Sequence, residues 1–194
     1  MAEDKRAAFA DEEYWGRPVP GFGDPAARLF IVGLAPAAHG GNRTGRVFTG
    51  DRSGDWLFGA LHRAGYANQP TSVHADDGLT LNGAYVAAAV RCAPPANKPT
   101  VEERDRCLPY LVRELGLLRE VRVILCLGQF AWDIVCRQLG FRPKPAFGHG
   151  AVAPVAGGPT VMASYHPSQQ NTFTGTLTQA MFDEIFASAR RFGA

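Results

Sequence analysis

Apolar runs alternate with amphipathic stretches along this chain. Leu29–Val32, Tyr85–Val90, Val121–Leu127 and Thr160–Ser164 are short, rich in β-branched and small apolar residues, and closed by glycine, proline or polar residues. Such runs read as buried strands. Between them the apolar period lengthens. Trp56, Leu57, Ala60 and Leu61 fall on one face of a helix over Ser53–Ala64. Thr100 followed by Glu103 forms a capping box and opens a helix to about Leu118, which Pro109 is expected to kink or divide. Gly128 opens a helix over Gln129–Leu139, and a last helix covers roughly Thr178–Arg191. Strands separated by helices predict an α/β fold, a three-layer α/β/α sandwich around a central, mostly parallel four-stranded sheet. The first thirty residues and the Pro/Gly-rich stretch Phe141–Pro159 read as coil.

Composition narrows the function classes only modestly. The 194 residues are 46% hydrophobic and 20% charged, a balance suited to one globular domain over 1–194 with a coil or helical lead-in over 1–27. A net charge of +2 permits a nucleic-acid partner without arguing for one. The start carries charge and no apolar signal core, and no apolar run is long enough to span a bilayer. A cytoplasmic enzyme or binding protein is the expectation. Cys92, Cys107, Cys126 and Cys136 form no Cys-x-x-Cys motif. Cys126 and Cys136 lie in apolar segments and read as small core residues. Cys92 and Cys107 fit that reading less well.

The candidate chemistry lies in three loops that leave strand ends, where open α/β sheets bind ligands. The first runs from Gly33 to Asp51. Its glycines allow close backbone approach, Arg43 and Arg46 suit phosphate, and Phe48 offers a stacking face. Asp51 is either a general base or the cap of the following helix. Phe48 is either a stacking face or a core anchor. The second loop is Arg91–Lys98. The third is Ser164–Asn171, where His166 stands before a proline and a polar run. The first loop is neither a dinucleotide fingerprint nor a P-loop.

Taken together, the motifs resemble the uracil-DNA glycosylase superfamily, specifically its family five, or type B. The resemblance is carried in order by Tyr14–Pro25, Gly33-Leu34-Ala35-Pro36-Ala37, Gly40–Arg46, Phe48-Thr49-Gly50-Asp51, Ala89–Pro95 and Ser164-Tyr165-His166-Pro167-Ser168. It implies a monofunctional hydrolase that cleaves the N-glycosidic bond of uracil, and of other deaminated or modified bases, in single- or double-stranded DNA, leaving an abasic site. It further implies catalytic roles for Asp51 at the sugar and His166 at the base oxygen. Phe48 would stack on the flipped base. Gly33, Ala35, His39, Asn42 and Arg43 would hold base or phosphate, and Gln170 and Asn171 would lie against the groove. The partner would be damaged DNA and the enzyme a monomer in the bacterial cytosol.

Three departures from the family pattern stand out. Ala37-Ala38 offers no polar group to activate water, which shifts that burden to Asp51. Ala88 stands where related types carry an asparagine that reads the uracil edge, which implies a broader substrate range. Finally, the resemblance implies a 4Fe-4S cluster held by an N-terminal Cys-x-x-Cys and two later cysteines. Cys92 and Cys107 match the later pair, and the first pair is expected upstream of Met1. Two rival readings carry different chemistry: a catalytically weak homologue that binds damaged DNA, and a hydrolase of free nucleotides using the same loops.

Overall fold

The computed structural model describes residues 5–193. The lead-in expected over 1–27 is therefore described from Lys5 onward, and its first four residues lie outside the described part. Six strands form one sheet in the order β1-β3-β2-β4-β6-β5. The four central strands, β3 (Ala84–Ala88), β2 (Leu29–Gly33), β4 (Val123–Leu127) and β6 (Thr160–Ser164), are parallel, as the apolar runs predicted. Two edge strands add to that expectation. β1 (Phe22–Gly23) pairs antiparallel with β3, and β5 (Val152–Ala153) pairs antiparallel with β6. Each has two residues, too few for a period-two signal, and each lies in a segment that read as coil.

Strand alternation sorts the core into two layers. Leu29 and Ile31 point to one face, where α2 (Arg52–Arg63) and α6 (Gln179–Gly193) bring Leu57, Phe58, Phe182 and Phe186. Phe30 and Val32 point to the other, against Leu111 of α3 (Val101–Leu117) and Trp132 and Val135 of α4 (Gln129–Gln138). Burial on both faces explains why the central strands are apolar throughout. The Thr100 capping box forms as expected, with Thr100 Oγ1 accepting from Glu103 N–H and Glu103 Oε2 accepting from Thr100 N–H. The helix that follows passes Pro109 as one element rather than two. Two short helices complete the set: α1 (Gly41–Thr44), within the first loop, and α5 (Gln169–Phe173), after His166.

The lead-in is tied down despite its coil composition. Trp15 N–H donates to Arg43 O, Gly16 N–H to Asn42 O, and Val19 N–H to Arg91 O. Tyr14 and Val19 are buried. The segment thus straps the first loop onto the end of β3.

Candidate active site

The three strand-end loops converge. They surround a cavity of about 790 Å³ lined by Leu34, Ala35, Phe48, Asp51, Ala96 and His166, among others. The chain leaves β2 for β3 on one side and crosses to β4 on the other, so the crevice opens where the strand order reverses. Its volume is in the range of small-molecule sites.

Asp51 forms the helix cap that was one of its two sequence readings, and it also lines the cavity. It is the N-cap of α2, and one carboxylate oxygen accepts from Gly54 N–H at 3.0 Å. The other oxygen, Oδ2, lies against Gly40, where a Cβ would overlap it. Burial raises the Asp51 pKa above the ordinary carboxylate value, and the backbone N–H groups of Gly54 and Ser53 only partly offset this. The cap holds the carboxylate in place in the wall of the cavity, which Gly40 also lines.

Phe48 occupies a left-handed backbone conformation, φ 51°, which a bulky residue rarely adopts. Such a residue costs about 1–3 kcal/mol unless its surroundings hold it there. Two glycines do so. A Cβ on Gly33 would overlap the Phe48 ring, and a Cβ on Gly54 would overlap the Phe48 carbonyl. Gly33 thus serves the site as the floor under Phe48 rather than as a direct contact. The ring lies 5.8 Å from the His166 ring, with 31° between the planes. Burial lowers the His166 pKa to about 4, so at neutral pH its imidazole is uncharged and carries one N–H to donate. Gly128, at φ 93°, turns the chain out of β4 beside His166.

The remaining candidates divide. Ala35, His39 and Gln170 line the cavity. His39 Nδ1 meets Tyr14 Oη at 2.9 Å, and burial, with Arg6 and Arg43 nearby, lowers its pKa. Asn42 and Arg43 turn away. Asn42 is buried, and its amide donates to Ala38 O. The Arg43 guanidinium pairs with Glu12, donates to His39 O and stacks on Phe9. Arg46, the other arginine of the loop, is 3% exposed and bonded to Asp77, Ser72 and Thr49. These three side chains brace the loop. Asn171 donates to the His166 carbonyl at 2.9 Å and ties α5 to the loop that carries His166.

Several lining residues carry no readable sequence signal. Arg6 and Phe9 reach the cavity from the lead-in, and Arg52 enters from the first turn of α2. Ala96 and Asn97, both at positive φ, form part of the rim.

A sequence model of the uracil DNA glycosylase superfamily matches residues 20–190. The chain belongs to that superfamily. It is 56% identical over 194 residues to the type-5 uracil-DNA glycosylase of Mycobacterium tuberculosis, covering 98% of this chain and 72% of that protein. The type-5 uracil-DNA glycosylase of Mycobacterium leprae is 58% identical, with 98% and 85% covered. That of Thermus thermophilus is 53% identical over 188 residues, with 96% and 85% covered. The type-five resemblance read from the motifs is thus borne out across nearly the whole chain.

The cysteines are less complete. Cys92 is exposed and Cys107 half-buried, while Cys126 and Cys136 are buried in the core. Burial and the neighbouring Cys107 push the Cys92 thiol pKa up. Among the described residues no group of three or more His, Cys, Asp or Glu side chains could hold a metal. A 4Fe-4S cluster takes four thiolates, and the described residues offer two beside one another. These residues do not by themselves fit the cluster. No helix among the described residues is long and apolar enough to cross a membrane.

Proposed function

We propose that this chain is a monofunctional DNA glycosylase that hydrolyses the N-glycosidic bond of uracil, and of other deaminated or modified bases, leaving an abasic site. The observation that carries the reading is the meeting of Asp51, Phe48 and His166 on one cavity, in a chain of the uracil DNA glycosylase superfamily.

A base in a duplex is out of reach and must first be extruded, at about a few kcal/mol. Phe48, locked by Gly33 and Gly54, presents its face to the extruded base. As the glycosidic bond lengthens, the sugar gains positive charge and the base negative charge. Asp51 would oppose the positive charge and orient the attacking water. No cation among the described residues pairs with it, so its carboxylate is stabilised most when the sugar becomes cationic. His166 would donate its N–H to the base oxygen as charge develops there. Water supplies hydroxide to C1′ and a proton to the departing base, so no lysine or covalent intermediate is needed. Arg6 and Arg52 at the cavity are better placed for phosphate than Asn42 or Arg43, which brace the loop.

The apolar Ala37 and Ala38 in the cavity wall provide no polar group to activate water, which leaves that task to Asp51, and the buried Ala88 at the end of β3 provides no amide to read the uracil edge, which supports a broad base range. The reading treats 1–194 as one domain acting as a monomer in the cytosol. Cys92 and Cys107 would be two of the four ligands of a 4Fe-4S cluster, and no catalytic step depends on it.

The test is incubation with a uracil-containing oligonucleotide, followed by detection of free uracil and an alkali-labile site. Release from single- or double-stranded DNA is the expected result. Tight binding without release would overturn the enzymatic reading in favour of a damaged-DNA-binding homologue. Release from free nucleosides alone would point to a nucleotide hydrolase.

A further inference from the structure

The Phe141–Pro159 stretch read as coil with no role. Within it, His149 packs beneath the residue that precedes His166. Its ring lies 5.1 Å from the Tyr165 ring, and its Nδ1 accepts the Tyr165 backbone N–H at 3.2 Å. Its Nε2 lies 3.4 Å from the Met181 carbonyl on α6. A neutral imidazole that accepts at one nitrogen carries its proton on the other. His149 is therefore the Nε2–H tautomer, accepting from the exit of β6 and donating to α6. The Ser164 hydroxyl donates to Tyr165 O at 2.9 Å, so the Tyr165 residue is held at both ends of its backbone. The segment carrying His149 is registered on β6 by Gly150 N–H to Ala163 O and Ala163 N–H to Ala151 O, both 2.9 Å.

We propose that His149 is a positioning residue for His166: it fixes the Tyr165 peptide and so aims the His166 N–H into the cavity. Downstream, Asn171 holds the His166 carbonyl. Upstream, among the described residues, the side chain of His149 is what occupies the Tyr165 N–H, because β6 has ended and its ladder no longer supplies an acceptor. Burial lowers the His149 pKa, which keeps Nδ1 free to accept at neutral pH. The role of this bond in catalysis rests on the glycosylase reading. The geometric effect on His166 does not.

The experiment compares His149→Phe, which keeps a ring without an acceptor, with His149→Asn, whose Oδ1 can accept near the Nδ1 position. Single-turnover release of uracil is measured in both, and in each combined with His166→Ala. His149→Phe should slow release about 10–100-fold at unchanged DNA affinity, the scale of a small misplacement of a catalytic group. His149→Asn should stay within about 3-fold of the parent. The His149→Phe/His166→Ala double variant should be no slower than His166→Ala alone, since groups acting as a unit are not additive. A full additive loss, or equal slowing by Phe and Asn, would overturn the proposal. If His149→Phe does not fold, His149→Leu and His149→Asn provide the same contrast. The His166 ring proton resonances supply a readout that needs no turnover: they should shift in His149→Phe and hold in His149→Asn. Unmoved resonances in both would refute the positioning role. Moved resonances with an inactive parent protein would refute the glycosylase reading instead.

Discussion

Two carboxylates flank the Gly33–Asp51 loop and meet opposite treatment. Asp77 receives the Arg46 guanidinium at 2.6 Å, together with the backbone N–H groups of Val73, His74 and Leu79. Its burial raises the pKa, but these partners together outweigh it and hold the carboxyl well below its usual range. Asp51 is capped by backbone N–H alone, and burial raises its pKa. A carboxylate already neutralised by arginine has little left to offer a developing cation. One held only by peptide dipoles keeps its charge available, and under the proposed glycosylase mechanism the sugar is what it would meet. The loop thus uses one carboxylate as its anchor and keeps the other in reserve, and the arginine that looked suited to phosphate serves the anchor.

The sharpest way to break this contrast is Asp51→Asn. Base release should fall by about 10²–10⁴-fold, the usual contribution of a positioned base. The melting temperature should hold or rise, because asparagine still accepts from Gly54 and no charge is desolvated. A near-parental rate would return Asp51 to a purely capping role. Asp77→Asn should do the reverse. It strands the buried Arg46 and should remove about 3–5 kcal/mol of stability in urea unfolding. The rate per folded molecule should be unchanged, and a rate loss in fully folded protein would erase the distinction. Gly40→Ala is a subtler probe. The new Cβ must displace Asp51 Oδ2, and a displacement of that kind should lower the rate by about 10²-fold. A parental rate would mean that the Oδ2 edge is not the working one.

The smallest effects lie in pH. Asp77 has a folded pKa below its unfolded value of about 3.9, so its stabilisation is present above that value and is lost as pH falls below it. Asp51 runs the other way. Its folded pKa is raised, so lowering the pH through that range favours the folded state while removing the active carboxylate. The rate should therefore show an acid limb above the ordinary carboxylate value, at pH values where urea unfolding still reports a stable protein. His166, with its pKa lowered to about 4, should add no inflection between about pH 5 and 8. A limb near 6.5 that His166→Ala removes would contradict its neutral state.

Much of the fold was legible because burial on both faces of the sheet leaves long apolar runs. The Thr160–Ser164 strand and the Thr100 cap stand as expected, and the other central elements shift at their ends by a few residues at most. β1, β5 and α5 were not legible. They have two, two and five residues, too short for any period to register. In the site, Asp51, Phe48 and His166 could be named from their loops. The tasks of Arg46, Arg43 and Asn42 could not be read. A glycine-rich loop with arginines looks the same whether its guanidiniums meet phosphate or a carboxylate that lies 31 residues away in the chain.

The sequence by itself determined the α/β architecture, the family and which loop side chains to consider as candidates, because periodicity and local motifs are properties of neighbouring residues. Only the tertiary structure decided that Asp51 is cap and catalytic candidate together, which arginines face the cavity, and that His149 lies behind His166. Those outcomes depend on contacts between distant segments, on which atoms lose water and on which partner reaches a charge first. No local pattern along the chain records them.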